Sequence, residues 1–406
     1  MAGPAPEPRL VSFHEITAAR RTLATVVRPT PTTFSHSLSR HVGQPVWLKP
    51  EQRQRTGSFK IRGAYHLQSQ LPVGASVVAA SAGNHAQGVA LAASLLGQHA
   101  TIFMPRGASL PKVQATRAYG AEVVLVGATI DDCIVEARAA ADERQGTFVP
   151  PFDHPQVIAG QGTIGLEILD EAPDVATVVV AIGGGGLCSG IGAAVKRVRP
   201  DVRVIGVVAE GAASMLRSLD AGRPLEVSPH TVADGIALRA PSQLTLDHVT
   251  AFVDDVVVVS DEDISAATLL LLERVKAVVE PAGAAALAAL LGGSIDARGP
   301  VAAVLGGGNV DPVLLGKVVD HGLSVAGRYL VLRVVVDDRP GTLAGLTESV
   351  ATLGLNVLAV EHHRSGLRLD LGSVEVQITV ETRDHEHRRE VVAALEDMGY
   401  AVEVVE

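Results

Sequence analysis

The sequence predicts a parallel, doubly wound α/β protein that ends in a small antiparallel α+β unit. Three observations carry this. From about Thr22 to Gly316, short Val/Ala/Ile-rich runs alternate with longer Ala/Leu stretches at helical spacing. The short runs are apolar throughout, as strands covered on both faces require. Beyond about residue 328 the runs instead alternate apolar and polar, as strands with one wet face do.

In chain order, SVVAA (76–80), ATIFMP (100–105), AEVVLVG (121–127), ATVVVAIG (176–183), VRVIGVVAE (202–210) and VAAVLGGG (301–308) read as strands. Residues 84–97, 110–119, 130–144, 187–198 and 261–279 read as helices between them, giving a parallel arrangement. In the last part, RYLVLRVVVDD (328–338), NVLAVEHHR (356–364), SVEVQITVET (373–382) and AVEVV (401–405) are strands, with helices at 341–353 and 385–398. The order β-α-β-β-α-β is that of a ferredoxin-like unit with its helices on one face.

With 406 residues, the chain has length for two to three domains. Its net charge is −10 with no basic block, which excludes nucleic acid and acidic membrane as main partners. The last part, from 328, has eight arginines against fourteen acidic residues, a net −6, and no lysine. Cys133 and Cys188 form neither a disulfide framework nor a metal spacing, which fits a reducing cytoplasm. The start MAGPAPEPRL lacks a basic segment followed by an apolar run and reads as a loose tail. Val175 to Val195 is uncharged and long enough to span a membrane, but four consecutive glycines split it into a strand and a helix start.

Several segments carry chemistry. Lys60 lies in TGSFKIRGA (56–64) among Gly, Ser and Phe, where desolvation can remove its proton and leave a nucleophile; the same position also suits a surface lysine at a helix start. SAGNHAQG (81–88) follows a strand directly, so Ser81, Asn84 and His85 fall at the C-terminal edge of a parallel sheet, where such sheets bind ligands. An ordinary Asn-capped turn has the same look. Gly183, Gly184, Gly185, Gly186 and Leu187 join a strand to a helix, and four residues without Cβ let the backbone wrap a phosphate. The run matches neither the nucleotide P-loop nor the dinucleotide fingerprint. Glu280 in VEPAGA (279–284) and Asn309 in GGGN (306–309) each follow an apolar run, and spacing alone gives them no role beyond a cap or turn.

In that order, Lys60, the Asn84 turn and the glycine cup resemble the fold-type-II pyridoxal-phosphate enzymes (tryptophan synthase β-like, with doubly wound sheets in two subdomains). The likeness is nearest to threonine/serine dehydratases, or ammonia-lyases, and their relative serine racemase. It includes PPFDHPQVIAGQGTIGLEI (150–168), VADGIA (232–237), VVEPAGA (278–284) and GGGNVD (306–311). The last part resembles an ACT domain, with DRPGTL (338–343) at its strand-to-helix loop. The division this implies is an N-terminal tail at 1–20, a catalytic domain at 21–325 with a small subdomain at about 51–145, and a regulatory ACT domain at 328–406.

The resemblance implies that Lys60 carries pyridoxal 5'-phosphate, with Phe59 packed beside its ring and Asn84 bonded to its 3-oxygen. The amides of Gly183 to Leu187 hold the phosphate, while Ser81, Asn84 and His85 present donors to the substrate carboxylate. Gly235 and Glu280 lie close to substrate and ring. The reaction implied is conversion of L-threonine to 2-oxobutanoate and ammonia, with L-serine giving pyruvate, in a cytoplasmic homodimer or homotetramer. An amino-acid effector is implied at Asp338, Arg339, Pro340, Gly341, Thr342 and Leu343; its identity, and an isoleucine-biosynthetic or catabolic role, stay open. The alternative is a serine racemase or a 3-hydroxyaspartate dehydratase-like eliminase. Three residues depart from the pattern. Ala82 stands where serine racemase has its acid/base serine, and Gly306 stands where a serine faces the pyridine nitrogen. Glu210 is a metal candidate, but Leu216 replaces the carboxylate expected six residues on.

Overall fold

The computed structural model describes residues 9–364 and 370–405, so the first eight residues of the expected tail lie outside the described part. The chain divides into two compact units, Met1–Val318 and Val319–Glu406.

Among its described residues, the first unit holds ten strands: β1 (Thr33–Phe34), β2 (Val46–Lys49), β3 (Ser76–Ala80), β4 (His99–Met104), β5 (Glu122–Leu125), β6 (Thr147–Phe148), β7 (Thr177–Ala181), β8 (Arg203–Ala209), β9 (Asp255–Val259) and β10 (Val301–Val304). They form two sheets, ordered β5-β4-β3-β6 and β1-β2-β10-β7-β8-β9. All neighbours are parallel except β1 on β2, which sits at the edge. Successive residues of the central strands feed different cores. Val178, Val180 and Val204 pack with Ile191 and Val195 of helix Gly186–Val198. Val179, Ile205 and Val207 pack on the other face with Leu287 of helix Pro281–Leu291. Because both faces are covered, residues 178–180 and 204–208 carry no polar side chain at either alternate position.

Helix Lys60–Gln68 lies against helix Pro155–Glu171 at a glycine contact. A Cβ on Gly160 would stand 2.7 Å from the Gly63 Cα and 2.8 Å from the Arg62 carbonyl, so the pair can meet only as glycines.

The structure departs from the sequence reading at three places. Residues 13–20 of the expected tail belong to helix Phe13–Leu23, which a Ser12–Glu15 capping box starts and whose Ile16, Ala19 and Leu23 are buried. The strand expected over 301–308 ends at Val304, before the glycines. The helix expected over 261–279 is α-helical only over Asp261–Leu270; a π turn, Leu271–Val275, follows, and Lys276 at φ +59° stops it ahead of Pro281.

The second unit holds β11 (Tyr329–Asp337), β12 (Val357–His363), β13 (Ser373–Glu381) and β14 (Ala401–Val405), ordered β12-β13-β11-β14 and antiparallel throughout. Leu332 and Val334 face Ile378 and Val376 in register, and this inner face is buried with Leu346 and Leu395 of helices Thr342–Thr352 and His385–Asp397. Among the described residues, no helix is long and apolar enough to cross a membrane.

Candidate active site

A cavity of about 340 Å³ opens where β3, β7 and β10 end, at the C-terminal edges of both parallel sheets. Lys60 is the first residue of its helix, and the loop before it is tied down by Phe59 N–H donating to the Gly306 carbonyl at 3.2 Å. Its Nζ donates to the Pro151 carbonyl at 3.1 Å and stands 5.1 Å from the Phe59 ring centre. Burial lowers the Lys60 pKa from 10.5 to about 8, and the carboxylate of Glu280 works against that fall.

Beyond β3 the chain turns through Ser81–Gly83 into helix Asn84–Leu96, and Ser81 Oγ accepts from Gly83 N–H at 3.1 Å. Asn84 Nδ2 donates to Glu280 Oε1 at 2.7 Å. The His85 ring is buried, with Nε2 2.8 Å from the Val149 carbonyl. Burial, then the charge of Lys60, pushes its pKa down to about 3, so the ring is neutral and its one N–H is committed to Val149. What His85 can offer the cavity is its backbone amide at the start of the helix.

On the facing wall, β7 leads into Gly183–Gly186 and helix Gly186–Val198, which no side chain caps. Gly185 holds φ +93°. A Cβ on Gly184 would run into the Phe152 ring, and one on Gly186 would lie 2.9 Å from the Phe152 Cβ. The loop is therefore a bare-backbone cradle whose Cβ positions are already taken by Phe152, Ile236, Met215 and Thr245, and among the described residues the first amides of the helix have no acceptor within it. Leu187 follows as a cavity-lining residue.

Glu280 precedes helix Pro281–Leu291 and is buried. Burial first, and Asp234 second, raise its pKa to about 7. Gly235 lies beside it in the turn Asp234–Ile236, where an added Cβ would stand 2.9 Å from the Ala282 Cβ. Asp234 also pairs with Lys112 at 3.0 Å, joining the two walls of the cavity. A Cβ on Gly306 would meet only the Phe59 ring, at 3.5 Å.

The cavity thus brings together Phe59, Lys60, Ser81, Asn84, His85, the glycine run, Gly235, Glu280 and Gly306. Glu210 is not among its walls: it is exposed in the turn Glu210–Ala212, and among the described residues no group of three His, Cys, Asp or Glu could hold a metal. In the second unit Asp338, Arg339, Pro340 and Gly341 are exposed and Thr342 and Leu343 half-buried, with Gly341 at φ +96° and Asp338 paired to Arg364 at 3.4 Å. A concavity of that unit lies instead at the opposite strand ends, around Arg328, Asn356, Glu381 and Arg383. Sequence reasoning missed Lys112 and Phe152 as cavity walls and gave Asp234 no role. Asp234 and Phe152 sit inside motifs already singled out, whereas Lys112 carries no local signal.

Residues 23–307 match the family described as pyridoxal-phosphate dependent enzyme, and residues 330–399 match the ACT domain. An L-threonine ammonia-lyase of Geobacter sulfurreducens is 47% identical over 384 residues, covering 93% of this chain and 96% of that protein. Another L-threonine ammonia-lyase, of Thermotoga maritima, is 45% identical over 401 residues, covering 98% and 100%. Among solved structures, a threonine deaminase of T.th. superposes with a TM-score of 0.71 at 42% identity, over 74% of this chain and 99% of that one.

Proposed function

The chain belongs to the pyridoxal-phosphate-dependent enzymes and carries an ACT domain, and on that premise we propose that it is an L-threonine ammonia-lyase with Lys60 as its base. L-Threonine loses its Cα proton and β-hydroxyl as water, and hydrolysis then returns water and gives 2-oxobutanoate and ammonia. L-Serine gives pyruvate by the same route. The observation that carries this reading is a lysine amine lowered to about pKa 8 in one cavity with Asn84 and a glycine cradle in which every Cβ would collide with its neighbours.

The residues present fit pyridoxal 5'-phosphate. The uncapped helix start and the bare backbone of Gly183–Gly186 along the cavity wall suit its phosphate, Asn84 Nδ2 suits its ring oxygen, and Phe59 suits its ring face. When bound, this cofactor supplies a carbonyl that joins the amino group of the substrate and a sink for the electron pair left at Cα. Lys60 Nζ takes the Cα proton; near pH 8 about half of it is neutral and able to do so. The Ser81 hydroxyl and the amides of Asn84 and His85 hold the substrate carboxylate at the helix start. Ala82 presents a methyl group to the cavity, which cannot return a proton to the face opposite Lys60, so elimination prevails over racemisation.

The ACT domain takes a free amino acid between paired copies, through the loop Asp338–Leu343, in a homodimer or homotetramer. The pairing is supported by β12, an edge strand exposed along its length that carries Val357, Leu358 and Val360. Two buried free cysteines fit a cytoplasmic setting. Keto-acid release from L-threonine and L-serine, with and without a panel of amino acids, tests the reading. No keto acid from either substrate refutes the activity, and no response to any amino acid refutes the regulation.

A further inference from the structure

Asn309 follows the glycines after β10, and one nitrogen of its side chain serves two partners. Nδ2 donates to the Thr56 carbonyl at 2.5 Å and to Asn84 Oδ1 at 2.7 Å. The two acceptors belong to the two segments that build the cofactor side of the cavity: the loop leading into Lys60 and the turn at Asn84.

Both segments need such a tie. Thr56 sits at φ +63°, in the left-handed region that a β-branched residue avoids, and Gly57 follows at φ +72°. A Cβ on Gly57 would run into Asn309 Oδ1, so the loop is curled directly over the Asn309 amide. Asn84 presents a different requirement. Its amide can turn over, exchanging donor for acceptor, and only its Nδ2 can donate to a cofactor oxygen. Because Oδ1 accepts from Asn309, Nδ2 is the end left to donate to Glu280 at 2.7 Å, toward the cavity.

We propose that Asn309 is a positioning residue: through its single Nδ2 group it holds the Thr56–Lys60 loop in its left-handed turn and fixes the amide of Asn84 with its donor facing the cofactor. This rests on the assignment of Lys60 and Asn84 to the cofactor given above. Asn309 acts through these two segments, and its own donor hydrogens are both committed to them.

The test uses the full chain carrying Asn309→Asp, which keeps the size of the side chain and turns the doubly donating nitrogen into an acceptor facing two acceptors. Three quantities are read beside the thermal midpoint: pyridoxal 5'-phosphate affinity by titration of the apoprotein, the visible absorption maximum of the reconstituted protein, and kcat and KM for L-threonine. Affinity and kcat should each fall by about tenfold or more, as expected when buried polar groups lose their partner, with a shifted absorption maximum. In the double variant with Asn84→Ala, the loss of affinity should exceed that of Asn84→Ala alone by less than the whole Asn309→Asp loss, because only the tie to Thr56 is then left to break. Should Asn309→Asp not fold, Asn309→Ala, which adds no charge, is read in the same way. A folded variant with unchanged affinity, spectrum and kcat would overturn the proposal, as would losses that add fully to those of Asn84→Ala. A parent chain that takes up no cofactor would instead bring down the assignment on which the proposal rests.

Discussion

Arg62 and Glu51 form a two-pronged ion pair beneath the Lys60 helix, with Nη2–Oε1 and Nε–Oε2 both at 2.8 Å and neither residue open to solvent. Glu167 takes the other side of the guanidinium at 2.6 Å, and buried Lys49 reaches both Glu167 and Glu171. Arg62 stands two residues after Lys60, so this cluster fixes the turn of helix that carries the reactive amine.

Arg62→Met leaves Glu51 fully buried without a counter-charge and leaves Glu167 with Lys49 alone, and the chain should lose about 3–5 kcal/mol of stability. Urea unfolding measures this; a loss below about 1 kcal/mol, the scale of a surface pair, would contradict it. Burial pushes the Glu167 carboxyl upward, but Arg62 and Lys49 outweigh that and hold it below the ordinary range. Its stabilisation is therefore complete above the ordinary glutamate pKa and is lost as pH falls through the lower folded value. Arg62→Met should flatten that acid limb.

Cofactor capture needs Lys60 Nζ neutral, so the rate at which the apoprotein takes up pyridoxal 5'-phosphate should rise with pH around a midpoint near 8. The charge of Glu280 opposes the fall of the Lys60 pKa, so Glu280→Gln should move that midpoint lower. Rapid-mixing absorbance across pH reads both. A midpoint near the free-lysine value, or an upward shift in the variant, would contradict the assignment.

The two glycine sites should respond in opposite ways to an added side chain. Gly184→Ala drives a methyl into the Phe152 ring and should abolish cofactor retention. Gly306→Ser places its Cβ 3.5 Å from Phe59, an ordinary contact, and should leave cofactor binding and turnover with only modest change. Dialysis followed by absorbance compares them. Equal loss in both, or in neither, would contradict the cradle.

Much of the scaffold is legible because its signals are local. SVVAA coincides with β3, residue for residue, since an apolar run meets small residues at its end. Helix Pro155–Glu171 is harder to see: Gly160, Gly162 and Gly165 lower its helix propensity, and their purpose is the close approach of neighbouring segments. Strand β9, DVVVV, shows the apolar run of a buried strand and is within reach of the same reading. The site divides in the same way. Lys60, Asn84 and the glycines announce themselves by local pattern, whereas the tie from Asn309 to Asn84 spans 225 residues of sequence and the Lys112–Asp234 pair spans 122. Contacts of that kind arise only from the fold.

Whether Lys60 both carries the cofactor and removes the Cα proton is read from 2-oxobutanoate released from L-threonine, together with the visible absorbance of the purified full chain, for the parent and for Lys60→Ala. The parent should show both the absorbance and the turnover, and Lys60→Ala should lose both. Among the described residues, the other lysine lining the cavity is Lys112, which is paired to Asp234 and so is not available for the same two tasks. Near-parental turnover by Lys60→Ala would contradict this assignment.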